Sequence, residues 1–232
     1  MIITRRRTVQ GLLGLSLGGI AAAATGGRAD AQSPDQTELV DRAKATLERM
    51  LSDREYATFK RMLPNAKAAL IVPSLFRAGF VVGGEGGSGV LMSRSPQNEW
   101  SYPAFMYVAA GSVGLQIGVQ EAEVVLLIMT DNGLFQVTTN EFRMGVDASV
   151  AAGPTGAGRQ ASTTFNFGAD IYSFSRTRGL YGGVSFDGSI IRPRLEWNRT
   201  YYGRSASTRQ IIIQREVANP SADQLRATLA RA

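Results

Sequence analysis

Apolar positions along this chain begin with a helical period and then change to short continuous runs. Between residues 36 and 51 they recur as Leu39, Val40, Ala43, Leu47, Met50 and Leu51. At about 100° per residue these fall within an arc of roughly 120°, which predicts an amphipathic helix with one face to pack. Ser33-Pro34-Asp35 supplies its start signal. The opposite face mixes Glu38, Asp41, Arg42, Glu48 and Arg49, so it reads as a solvated face and not as a basic face for a membrane surface. A second short helix is predicted over Arg54–Met62, ending before Pro64.

From Ala66 the pattern becomes strand-like. Ala68-Ala69-Leu70-Ile71-Val72 precedes Pro73 and predicts a strand. Phe80–Val82 and Val90–Met92 read as the arms of a hairpin folded around Gly83, Gly84, Gly86, Gly87 and Gly89, glycines that permit positive φ and close approach of another strand. Ser95 to Glu99 is a polar turn. Strands are expected at 105–119 and 123–129, the second so apolar that both its faces should be buried. Asp131-Asn132-Gly133 reads either as a tight turn or as the cap of a short helix reaching Phe142. Further strands are expected near 144–151, 163–174, 180–187 and 189–192, with a loop over 153–158. A polar connector follows Tyr201-Tyr202-Gly203, then Ile211-Ile212-Ile213 as a strand or turn. Asn219-Pro220-Ser221 opens a terminal helix in which Leu225 and Leu229 share a face. Together these elements predict an α+β fold. Residues 32–232 form a single antiparallel, β-rich domain, sandwich or barrel-like, with N-terminal helices and a C-terminal helix.

Composition agrees with a strand-rich body, since 26 glycines accompany only 19% charged residues. The chain has no cysteine and no histidine. That removes disulfides, thiolate nucleophiles and thiolate metal sites, along with the commonest general acid–base and zinc ligand. No catalytic residue, metal or cofactor is expected. Gly111-Ser112-Val113-Gly114 and Gly188-Ser189-Ile190 lack a nucleophile elbow, and Asp147, Asp170 and Asp187 sit where turns and caps need them.

Residues 1–31 read as a cleavable export signal. Arg5-Arg6-Arg7 precede a weakly apolar Gly/Leu/Ala run from Gly11 to Ala24, and Ala29-Asp30-Ala31 offers small residues for cleavage. The paired arginines resemble a twin-arginine signal of bacterial export; an ordinary secretory signal carrying three arginines is the alternative. The mature chain would begin near Gln32, soluble in the periplasm or outside the cell. The signal holds four arginines against Asp30, so +3 of the formal +6 leaves with it. The remaining +3 is too mild for nucleic acid and compatible with an anionic membrane.

Gly84, Gly86 and Gly89 match G-x-G-x-x-G, but a dinucleotide site also needs a helix after the last glycine. Val90 to Pro96 is too short for one, and no Gly-Lys-Ser/Thr follows for a P-loop. The hairpin is therefore expected to be architecture. Basic residues form the more informative set: Arg77 at the hairpin, Arg176 and Arg178 around Thr177, and Arg192 and Arg194 around Pro193. Arginine suits bidentate phosphate contacts. Solvated arginines at strand ends explain the same pattern equally well.

Several ordered motifs resemble the SYLF domain family. They are Ala66-Lys67 with Val72-Pro73-Ser74, the run Arg77–Gly84, Gly87-Ser88-Gly89-Val90-Leu91, Trp100–Phe105, Gly111–Gly118, Glu123–Leu126, Gly145–Pro154, Tyr172–Val184 and Asn198–Gly203. The resemblance spans 37–230 and implies a non-enzymatic lipid-binding module. Animal and fungal members bind phosphoinositides, some through a basic N-terminal helix, and fungal members bind actin. Here the first helix is charge-balanced, and actin is not an expected partner of an exported bacterial protein. The expected ligand is an anionic phospholipid or membrane surface met by a rim of Lys67, Arg77, Arg176, Arg178 and Arg192. The alternative is a structural or protein-interaction domain of the cell envelope that uses its glycine-rich sheet edges.

Overall fold

The computed structural model describes residues 34–79, 82–113, 118–153, 168–178 and 188–232. The first helix, α1 (Pro34–Ser52), follows the predicted stripe: Val40, Ala43, Leu47 and Met50 are buried. A 3-10 turn capped by Asp53 leads into α2 (Ala57–Met62). The strands follow as β1 (Ala68–Gly79), β2 (Val82–Ser93), β3 (Ala104–Val113) and β4 (Gly118–Ile128). Next come α3 (Asp131–Val137), β5 (Phe142–Arg143), β6 (Val150–Ala152), β7 (Ile171–Arg178) and β8 (Ile190–Pro193). Three helices end the chain: α4 (Leu195–Tyr202), α5 (Thr208–Ile212) and α6 (Asp223–Ala230). The eight strands form one sheet in the order β5-β8-β3-β2-β1-β4-β7-β6, antiparallel except for β6 beside β7, and it curls into a half-barrel.

Both faces of the central strands are covered, which explains their unbroken apolar runs. On one side Ile71, Val90, Phe105, Val125 and Phe174 pack under α1, α2 and α6. Phe59 meets Phe174 edge-on at 5.3 Å, and Tyr56 Oη donates to Ser175 O at 3.0 Å. On the other side Leu70, Val72, Leu91, Val124 and Leu126 pack with Val137, Phe142, Ile211 and Ile212.

The expectation of a strand ending at Pro73 is corrected. β1 continues to Gly79 through a bulge. Ile71 pairs with Val90 and Ser74 with Ser88, so Val72 and Pro73 together oppose Gly89. Proline has no N–H for a ladder, and a bulge within a strand tolerates it. The extra residue also exchanges the faces: Ala69 and Ile71 pack toward the helices before it, and Ser74 and Phe76 stand on that same side after it.

The glycine stretch is likewise not a turn. Gly83 to Gly89 lie within β2, and the hairpin tip, residues 80–81, is outside the described residues. None of these glycines has positive φ among the described residues. Close approach is what requires two of them: a Cβ on Gly87 would lie 2.5 Å from Ser74 O, and one on Gly89 2.7 Å from Ile71 O. β2 runs straight on through Val90 to Ser93, so no helix follows the G-x-G-x-x-G. It is also paired on both sides, with β1 and β3, so the glycine-rich strand offers a face and not an edge.

The expected strand near 189–192 is β8, and 105–119 resolves into β3 and the start of β4 around residues 114–117, which are outside the description. Asp131 begins a helix, with Thr130 as its cap. Ile211 and Ile212 belong to α5, not to a strand, and α4 occupies residues to which the sequence pattern assigned no element. The proposed signal at 1–31, the strand at 180–187, the first part of that at 163–174 and most of the 153–158 loop lie outside the described residues.

Candidate functional site

The end of the sheet where β1 begins carries a cationic cleft. Lys67 closes the ladder there, its N–H donating to Ile128 O at 2.8 Å and its carbonyl accepting from Arg94 N at 2.7 Å. Its side chain reaches Asp131 Oδ1, in the first turn of α3, at 2.7 Å. Arg94 follows β2 and turns toward the carbonyls left over where α2 and the next 3-10 turn end. It donates to Leu63 O at 3.1 Å, to Asn98 Oδ1 at 3.1 Å and to Pro64 O. Its guanidinium also lies 4.9 Å from the centre of the Trp100 ring.

Arg215, just beyond α5, has a left-handed backbone at φ 57°. That conformation costs about 1 kcal/mol or more for a side-chain-bearing residue. Here it lets Nη2 donate to Glu99 O at 2.9 Å and Ser93 O at 3.3 Å. Burial holds the pKa of both guanidiniums below the ordinary arginine value, partly offset at Arg215 by the charge of Glu99. Neither arginine forms an ion pair with a carboxylate among the described residues.

The cleft between these groups is about 550 Å³, with Leu134, Ile212 and Ile213 as its apolar lining. Ile213 is exposed, as is Phe135 beside Leu134 on α3. Chemically, it offers three cationic groups and one carboxylate next to apolar surface. Among the described residues no group of three metal-ligating side chains occurs.

The sequence-predicted residues are divided. Lys67 is in the cleft. Arg77 and Arg178 are at the opposite end of the sheet, Arg77 in register with Glu85 and Gln120 and Arg178 with Glu121. Ten strand residues separate Lys67 from Arg77, roughly 33 Å. Arg176 Nη1 is 3.5 Å from Glu123 Oε2. Arg192, on β8 opposite Tyr107, binds Glu141 Oε2 at 2.5 Å, and Arg143 binds the other oxygen at 3.0 Å. Those hydrogen bonds, that of Arg192 first, hold the Glu141 carboxyl below its usual range. The five do not share one rim.

Arg94 and Arg215 are absent from the predicted set because the carbonyls that hold them belong to elements far away in sequence. In sequence Arg94 falls between the Val90–Met92 arm and the Ser95–Glu99 turn, and residues 211–213 of the α5 region read as a strand or turn. The spacing Ser207-x-x-Gln210 was the available signal: it forms a capping box, with Gln210 N donating to Ser207 Oγ and Ser207 N to Gln210 Oε1.

A family model described as Ysc84, Las17-binding protein actin regulator, matches residues 109–232. Protein YSC84 of Saccharomyces cerevisiae is 30% identical over 159 residues, 67% of this chain and 34% of that protein. SH3 domain-containing YSC84-like protein 1 of Xenopus laevis is 30% identical over 158 residues, 67% of this chain and 47% of that protein. The Homo sapiens protein of that name is 32% identical over 139 residues, 59% and 41%. The chain thus spans between a third and a half of the length of these relatives.

Proposed function

The chain belongs to the Ysc84 family, the SYLF type that its motifs resemble, and on that premise we propose that it is a non-catalytic module that takes the headgroup of an anionic phospholipid in the Lys67 cleft. The way Arg94 and Arg215 are held carries this reading. Main-chain carbonyls and Asn98 fix both guanidiniums in place without neutralising them, so their charge remains for an incoming anion. Lys67 adds a third cation, and Asp131 is the one carboxylate lining the cleft. Phosphate diesters suit such a set of donors. Phe135 and Ile213 put exposed apolar side chains at the same end, where the interfacial layer of a bilayer would accept them. Among the described residues no helix is long and apolar enough to cross a membrane, so the contact proposed is with the surface.

Export belongs to the same proposal: cleavage near Gln32 would deliver the domain to the periplasm or beyond. The description of the family speaks of Las17 and actin; after export neither is an expected partner, and an envelope protein is the second candidate. Co-sedimentation of the chain with vesicles of phosphatidylcholine, with and without phosphatidylserine, separates the possibilities. Binding to the anionic vesicles alone, weakening as salt is added, is the expected result. Equal or negligible binding to both compositions would overturn it.

A further inference from the structure

On the helix-covered face the sheet is left open beside the first turns of α1, and there it carries a second groove of about 600 Å³. Its floor is the glycine stretch of β2. The Tyr107 ring crosses that floor so closely that a Cβ on Gly86 would come within 2.7 Å of its Oη. Phe76, brought to this face by the bulge, is 52% exposed and Tyr107 43%. Trp197 of α4 lines one side, with Arg194 stacked 3.4 Å from its ring centre and donating to Ser88 Oγ at 2.5 Å. Asp35 and Glu38 of α1 line the other. Neither enters an ion pair among the described residues, whereas Arg42 faces Glu121 at 3.7 Å.

We propose that this groove binds an extended, proline-rich segment of a partner protein that carries one lysine or arginine. Three features converge on that ligand, independently of the lipid cleft. At the groove the floor strands β1, β2 and β3 are paired on both sides, β3 with β8 over Met106–Ala109, so among the described residues the floor presents no open strand edge to add to. An extended guest must therefore leave its own backbone to water, as a polyproline II segment does. Exposed aromatic rings over a glycine floor give flat apolar surface on which pyrrolidine rings pack. Asp35 and Glu38, one helical turn apart, supply carboxylates for a single cation.

Calorimetric titration of the full chain tests this with three synthetic peptides: a Pro-Pro-Leu repeat with one arginine, the same repeat with glutamate instead, and an alanine/leucine helix-forming peptide with one arginine. The first binds and the other two bind at least tenfold more weakly. Tyr107→Ala weakens the first by roughly tenfold or more, the loss of an aromatic anchor. Phe76→Ser, at an exposed position, weakens it with an unchanged melting temperature, which keeps the test valid if Tyr107→Ala does not fold. Asp35→Lys with Glu38→Lys transfers the preference to the glutamate peptide. No binding of the first peptide at millimolar concentration overturns the proposal. So does equal binding of the helical peptide, or affinity indifferent to both Phe76→Ser and the charge exchange.

Discussion

Arg49 holds Glu123 with two guanidinium nitrogens, Nε at 3.2 Å from Oε2 and Nη2 at 2.5 Å from Oε1. The pair ties α1 to β4 at the level where the β1 bulge sets Pro73 and Ser74 against Glu123. Glu123 is 4% exposed and also takes Arg176, so one buried carboxylate joins the first helix, the centre of the sheet and β7. Truncating it leaves two arginines facing a vacated site. Glu123→Ala should cost roughly 3 kcal/mol in urea denaturation, and Arg176→Ala, which leaves Arg49 in place, clearly less. An equal loss for the two variants would contradict this arrangement.

Gly87 tests the bulge. A methyl group there must displace Ser74 O, which is main chain and cannot swing aside. Gly87→Ala is expected to destabilise by about 1–3 kcal/mol, the range for a forced core overlap. Gly203→Ala tests a different cause. Nothing lies within 4 Å of a Cβ there, and the cost comes from its φ of 66°; about 1 kcal/mol is expected. Thermal unfolding of both should place Gly87→Ala lower.

Tyr201 and Tyr202 define the alkaline limit. Burial pushes Tyr201 up to about 12, with the Ser221 hydrogen bond partly opposing it, and raises Tyr202 as well. The native state therefore keeps a proton that the unfolded chain releases near pH 10. The contribution is fully present below pH 10 and is lost as pH rises from about 10 to about 12, to the extent of roughly 3 kcal/mol from Tyr201. Tyrosinate absorbance followed alongside circular dichroism should show these two ionising together with unfolding. Tyr201→Phe should flatten the stability curve between pH 10 and 12.

Ser207 caps the helix that carries Ile211 and Ile212 under the cleft, and Ser93 Oγ also donates to Ile212 O. Ser207→Ala should cost about 1 kcal/mol, read by chemical denaturation. Ser207→Asp should retain most of the stability, since its carboxylate can accept the same backbone hydrogen bond.

Legibility in the sequence followed how locally each feature is encoded. α1 could be read because Val40, Ala43, Leu47 and Met50 repeat on one face, and β4 because Val124 to Ile128 are apolar without interruption. The bulge could not, because Pro73 looks like a strand end until Gly89 and Glu123 are known to face it across two neighbouring strands. α4 was hidden for a related reason. Its buried Asn198 is polar in sequence, and only the fold supplies Phe105 N–H as the donor to its side chain at 2.8 Å. Gly203, the stop signal of that helix, was visible but had no recognised helix to end. The cleft depends on the same long-range pairing: Lys67, Arg94 and Arg215 are far apart in sequence, and each guanidinium is fixed by carbonyls belonging to other elements.

The measurement that bears most directly on the central claim compares two double variants on the same phosphatidylserine vesicles. Arg94→Gln with Arg215→Gln removes the two cleft charges that form no ion pair with a carboxylate among the described residues, and Arg176→Gln with Arg192→Gln removes two charges elsewhere. At about 1 kcal/mol per basic residue at an anionic surface, the cleft pair should lose roughly thirtyfold in affinity. The second pair, whose charges are already engaged by Glu123 and Glu141, should lose no more than a few-fold. Equal losses for the two pairs, or full binding by the cleft variant, would contradict the assignment of the lipid site to the Lys67 cleft.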